Sequence, residues 1–242
     1  SRPFRAPHHT ASAVALVGGG TVPRPGEVSL AHNGVLFLDE LPEWSRQALE
    51  VLREPLESGV VTVSRATRSA EFPARFQLVA AMNPCPCGWA GDPSGRCRCG
   101  DEAVDRYRAR VSGPLMDRID LHVSMARLAP GELRPDAPRG ESSAAVRDRV
   151  SHARALQAKR AGKANAMLGQ AETERDCRLP EQAQVLLEKA VEHLQLSARS
   201  THRILRVART IADLADSESI GVAHVTEAIG YRRGETGRVA IT

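Results

Sequence analysis

Aromatic residues are scarce: four Phe, two Trp and two Tyr in 242 residues. A core has to be built from Leu, Val, Ile and Ala instead. No apolar stretch approaches the ~20 residues of a transmembrane helix, so no membrane partner is expected. The opening Ser-Arg-Pro-Phe-Arg-Ala-Pro-His-His has no apolar signal core, which makes the cytoplasm the default expectation. An acidic surplus is also missing. The net charge is +4 and the isoelectric point near 9.0, a mild basic excess compatible with nucleic acid but not demanding it. The phosphate-binding pattern Gly-x-x-x-x-Gly-Lys-Ser/Thr is absent. Gly18, Gly19 and Gly20 run into Thr-Val-Pro-Arg without a lysine, so they are not a P-loop. Finally, four of the five cysteines crowd into residues 85–99, unlike the spread of a secreted disulfide scaffold.

What is present divides the chain in two. Up to about residue 129, strand-like and helix-like segments alternate. Val35 to Leu38 form a short unbroken apolar run, as expected of a strand buried on both faces of a parallel sheet. Ser45 is a candidate N-cap for a helix over 45–57, with Leu49, Leu52 and Leu56 on one face and Pro55 kinking or ending it. Residues 60–64 and 75–81 are strand-like, with the tip and return arm of a hairpin between them. A further strand is expected over 119–124. Residues 129–143, rich in Pro, Gly, Asp and Ser, read as a linker. Beyond it, helices are expected at 142–161, 181–194, 200–215 and 222–232.

The chemistry-bearing residues follow one another in order. Asp39 and Glu40 end the apolar strand, at the edge where open α/β sheets bind ligands. One carboxylate there can hold Mg²⁺ while the next polarises the water that attacks a γ-phosphate. Asn83 ends the strand 75–81; it either senses a phosphate, donating and accepting at once, or starts a turn with Pro84. Arg118 is either an arginine finger or a local partner of Asp117 or Asp120. Arg199 opens an apolar helix, facing either a nucleotide or solvent; Arg203, Arg206 and Arg209 dot the same helix. Cys85, Cys87, Cys97 and Cys99 suit tetrahedral Zn²⁺ or are simply reduced thiols. The hairpin carries Arg65 and Arg68, suited to DNA phosphates, or to water alone.

The segments Gly-Val-Leu-Phe-Leu-Asp-Glu-Leu (34–41), Ala-Ala-Met-Asn-Pro-Cys-Pro-Cys-Gly (80–88), Ser-Gly-Pro-Leu-Met-Asp-Arg-Ile-Asp (112–120) and Ser-Thr-His-Arg-Ile-Leu-Arg-Val-Ala-Arg-Thr-Ile-Ala-Asp-Leu (200–214) together resemble the magnesium-chelatase-like family of bacterial AAA+ ATPases, ComM type. The resemblance covers essentially the whole chain. It implies an α/β fold: a partial AAA+ core over 1–129, with a parallel sheet, flanking helices and a hairpin insertion, followed by an all-helical lid domain over 130–242. It implies ATP and Mg²⁺ as cofactors, and a homo-oligomer, hexameric in the full-length protein. In that frame Asp39 and Glu40 are Walker B, Asn83 is sensor 1, Arg118 the arginine finger and Arg199 sensor 2. Residues 59–76 become a hairpin facing the pore, and residues 16–26 a helix-2 insertion. For ComM-type members it implies ATP-driven remodelling of DNA by branch migration in natural transformation. The alternatives are a magnesium-chelatase-type motor acting on a non-DNA partner, or an inactive oligomerising fragment. In the family the P-loop lies upstream of residue 1, so the resemblance also implies the C-terminal part of a longer protein, inactive alone.

Overall fold

The computed structural model describes residues 2–232 except 66, 67, 129, 130, 133, 135, 138 and 139. It contains two compact units, Ser1–Ile119 and Asp120–Thr242.

Among the described residues of the first unit, seven short strands form three small sheets: β1 (Phe4–Arg5), β2 (Gly18–Gly19), β3 (Arg24–Pro25), β4 (Val35–Leu38), β5 (Val60–Arg65), β6 (Arg68–Pro73) and β7 (Gln77–Ala80). The central sheet is parallel, ordered β1-β4-β7, with Phe4 opposite Val35 and Leu38 opposite Ala80. The apolar run of β4 therefore takes the middle position, where both strand edges are paired. Leu36 and Leu38 are fully buried, while Val35 and Phe37 are only partly so, and Phe37 stacks on the exposed Phe4. Gly34 leads into β4 because any side chain there would strike the Pro3 carbonyl, 2.0 Å from a Cβ. Leu36 and Leu38 pack with Leu16, Trp44, Leu49, Leu52, Leu115 and the hairpin residues Val61 and Val63. This is the aliphatic core that the shortage of aromatics requires.

The helix expected over 45–57 is two helices, Arg46–Glu50 and Arg53–Ser58. Ser45 does cap the first, accepting the Ala48 N–H at 3.2 Å. Pro55 sits in the first turn of the second, where its missing N–H costs nothing. The break falls before it because a proline ring clashes with the carbonyl four residues back, here that of Val51. The hairpin β5–β6 is antiparallel, from Val60 opposite Pro73 to Arg65 opposite Arg68.

The expected strand over 119–124 is not formed. Residues 121–128 have no regular structure, and Leu121, Val123, Met125 and Leu128 are exposed. The His122 N–H goes to the Tyr231 carbonyl instead of a ladder. None of the described strands pairs with this segment.

The second unit is helical: Ser143–Ala161, Gln170–Asp176, Glu181–Leu194, Ala198–Leu214 and Val222–Gly230. Ser142 caps the first through the Ala145 N–H, and Gly162 ends it in the left-handed conformation, φ 68°. Leu187, Ile204, Ala208, Ile220, Val225 and Ile229 fill the core. The architecture is thus a parallel sheet with flanking helices and a hairpin, followed by a helical domain, as a partial AAA+ core and lid require.

Candidate functional site at the carboxyl edge of the sheet

Because β4 and β7 are parallel neighbours in register, whatever follows Leu38 and whatever follows Ala80 emerges at one edge. The Ala81 N–H donates to the Leu38 carbonyl and the Leu41 N–H to the Ala81 carbonyl, each at 2.9 Å, so the pairing continues past the strands. Asp39 and Glu40 on one side, and Asn83 on the other, are all exposed there. The Asp39 backbone is pinned by Trp44, whose Nε1–H donates to its carbonyl at 3.0 Å. Asp39 Oδ1 accepts the Glu40 N–H at 2.8 Å, and Oδ2 has no partner among the described residues. An exposed carboxylate oxygen on a fixed backbone fits a hydrated divalent cation.

Glu40 adopts a left-handed conformation, φ 50° and ψ 46°, which is strained for a residue with a Cβ. Its Oε2 lies 2.9 Å from His9 Nδ1, and His9 in turn lies against the His8 ring, centroids 4.1 Å apart. The contact of His9 with Glu40 was not read from the sequence. The only signal was that the His-His pair closely follows β1, which pairs with β4.

Asn83 is held from its far side. Its main-chain N–H faces the hydroxyl of the buried Tyr107, and burial pushes that phenol up. The Pro84 carbonyl accepts from Arg108 Nε at 3.3 Å. Directly after it come the cysteines. The Sγ atoms of Cys85, Cys87, Cys97 and Cys99 lie within 4.8 Å of one another. N–H groups of Arg98 and Trp89 donate to Cys87 and pull its thiol down to about 6.

The other expected residues stand elsewhere. Arg118 lines a cleft with Val17, Glu50, Glu54 and Thr62. Its side chain is 11% exposed and its Nη2 donates to Glu57 Oε2 at 2.7 Å, its Nη1 to the Pro114 carbonyl at 2.6 Å. Glu57 belongs to the helix that leads into the hairpin. Arg65 and Arg68 are the last register pair of the hairpin; their side chains, and residues 66 and 67, lie outside the described residues. Arg199 occupies an exposed position in the first turn of helix 198–214, in the helical unit. The arginines that follow it are structural. Arg203 pairs with Asp120 at 2.6 Å, Arg206 donates to the Ala166 and Leu168 carbonyls, and Arg209 to Asp213 and the Ser217 and Glu218 carbonyls.

No helix among the described residues is long and apolar enough to cross a membrane. Comparison with known proteins shows the family. The family model for the magnesium chelatase subunit ChlI matches residues 1–133, and that for the ChlI C-terminal region matches 140–232. The chain is 54% identical over 232 residues to competence protein ComM of Haemophilus influenzae, covering 96% of this chain and 45% of that protein. An uncharacterised protein of Mycobacterium tuberculosis is 46% identical over 236 residues, 96% of this chain and 46% of its own length. The chloroplastic magnesium-chelatase subunit ChlI of rice is 27% identical over 120 residues, 50% of this chain and 24% of that protein. The chain thus spans about half the length of the ComM-like proteins it matches. With two adjoining chelatase models covering nearly all of it, this chain belongs to the magnesium chelatase ChlI family.

Proposed function

We propose that this chain is the C-terminal part of an ATP-hydrolysing, ComM-like AAA+ motor that acts on DNA in the cytoplasm. The observation that carries the reading is the placement of Asp39, Glu40 and Asn83 at one sheet edge. There Asp39 would hold Mg²⁺, which supplies neutralising charge to the phosphates. Glu40 then orients water and takes its proton, and Asn83 contacts the terminal phosphate. His9, bonded to Glu40, holds the carboxylate until nucleotide binds. The phosphate cradle comes from a P-loop upstream of this chain. Arg118 and Arg199 act across subunit boundaries in a homo-oligomeric ring, a hexamer. In that role Arg118 must exchange Glu57 for a neighbour's nucleotide. The cysteine cluster holds one Zn²⁺.

Arg65 and Arg68 are the DNA contacts. The work is branch migration during natural transformation. Affinity for single-stranded DNA measured against salt, in a P-loop-containing form, tests this: Arg65→Ala/Arg68→Ala should flatten the salt dependence and weaken all sequences alike. An unchanged slope with oligomers intact would favour a chelatase-type motor on a non-DNA partner, a reading supported by Glu71 on the same hairpin and the likeness to rice ChlI. Absence of nucleotide turnover in that form would leave an inactive oligomerising protein.

A further inference from the structure

Between β7 and the helix Asp101–Arg108 the chain makes a long loop without helix or strand. Its turns rest on glycines in the left-handed region, Gly88 at φ 75°, Gly91 at 78° and Gly95 at 65°. The loop nevertheless returns on itself so that four thiols converge. Cys85 and Cys87 are 3.4 Å apart at sulfur, Cys85 and Cys97 3.8 Å, and Cys87 and Cys97 3.7 Å. A tetrahedral tetrathiolate with Zn–S of about 2.3 Å places its sulfurs about 3.8 Å apart, so three of the sulfurs already stand close to that spacing, and Cys99 Sγ lies within 4.8 Å of them. Main-chain amides aim at the sulfurs: Ala90 N–H donates to Cys85 at 3.3 Å, and Trp89 and Arg98 N–H donate to Cys87. Such donors offset the surplus charge of four thiolates around a dication. The Arg96 guanidinium over the Trp89 ring, 4.8 Å from its centroid, closes the loop from outside.

The position of the loop gives the cluster a consequence for the site. Cys85 is two residues beyond Asn83. The Gly88 turn lies against the Asn83 side chain: a Cβ at Gly88 would be 3.7 Å from both Asn83 Cγ and Oδ1. On the other arm, Cys99 leads through Gly100, the N-cap, into the helix whose Tyr107 and Arg108 hold the main chain of Asn83 and Pro84. A bond network through one ion would tie both arms together around Asn83.

We propose that Cys85, Cys87, Cys97 and Cys99 bind one Zn²⁺ and that this metal fixes the Asn83 amide at the edge shared with Asp39 and Glu40, making Asn83 a metal-positioned residue. The second half rests on reading that edge as a nucleotide site. Three measurements separate the parts. Metal analysis of the chain purified without chelator should give about one Zn²⁺ per chain, lowered by Cys97→Ser. Less than about a tenth, in protein whose helices are intact by circular dichroism, overturns the metal site and with it the positioning. Hydrogen exchange of amides 81–90, and the Asn83 side-chain amide signal, should then slow and sharpen when zinc is returned to chelator-stripped protein, by about tenfold or more in exchange rate. Amides of helix 198–214 should not change. Full zinc loading without that local protection overturns the positioning role and leaves the metal site. If both succeed but a P-loop-containing form neither binds nor turns over ATP, the nucleotide reading fails alone.

Discussion

The two units treat charge in opposite ways. In the helical unit, charged side chains go inside. Asp213 is fully buried and is bonded by Arg160, by Arg209 and by Asn165 Nδ2 at 2.8 Å, while Arg209 also closes the Ser217 and Glu218 carbonyls. Burial lowers the Arg209 guanidinium, with Asp213 opposing it, and the bond to Asp213 raises that of Arg160. In the first unit, the core is aliphatic and the carboxylates sit exposed at a strand edge, one of them on a strained backbone. Buried, fully bonded charge specifies one helical packing. Exposed charge at a fixed position is available to a ligand.

The comparison breaks most visibly at Asp213. Asp213→Ala should destabilise the helical unit by about 3–5 kcal/mol, since it leaves Arg209 buried without its counter-charge; thermal unfolding followed by circular dichroism reads this directly. The matching change at the sheet edge should do the reverse. Glu40→Gly removes a left-handed Glu and should raise the stability of the first unit by about 0.5–1 kcal/mol, measured by urea unfolding of the same chain. A loss instead would mean that the His9 bond outweighs the backbone strain. Glu40→Gln keeps the backbone and should leave stability within about 0.5 kcal/mol. The smallest effect concerns Cys177, buried in the helical core, where burial pushes the thiol up to about 11. At pH 8 it should resist alkylation until the unit unfolds, while the chelator-stripped cluster cysteines react first, as mass spectrometry would show. Because the folded value is raised, the unit keeps this contribution below the ordinary thiol value of 9.0 and loses it as pH climbs toward 11.

The sequence made the edge legible because a strand buried in a parallel sheet must be apolar throughout and must end where its residues turn polar. Val35 to Glu40 do both. The long helices were legible from their periodicity, and helix 181–194 has the expected bounds. The strand at 119–124 was misread since residue types show which segment could form a ladder, not whether it pairs with one. The inward turn of Arg206 was invisible because its partners are the Ala166 and Leu168 carbonyls, which carry no sequence signal, whereas Arg209 has Asp213 four residues on as well as two carbonyls. His9 was hidden for a similar reason: its contact with Glu40 depends on β1 pairing with β4, which two residues of strand do not announce. The cysteine spacing suggested a metal, but only the folded loop brings Gly88 against Asn83.

The most direct test of the proposed function is ATP turnover at the sheet edge, measured in a P-loop-containing form, with and without Glu40→Gln. The expected result is a loss of at least about 100-fold in turnover, while nucleotide affinity stays within about threefold because Asp39 and Asn83 are untouched. Turnover that survives Glu40→Gln at the wild-type rate would contradict the assignment of the Asp39–Glu40 edge as the hydrolytic site.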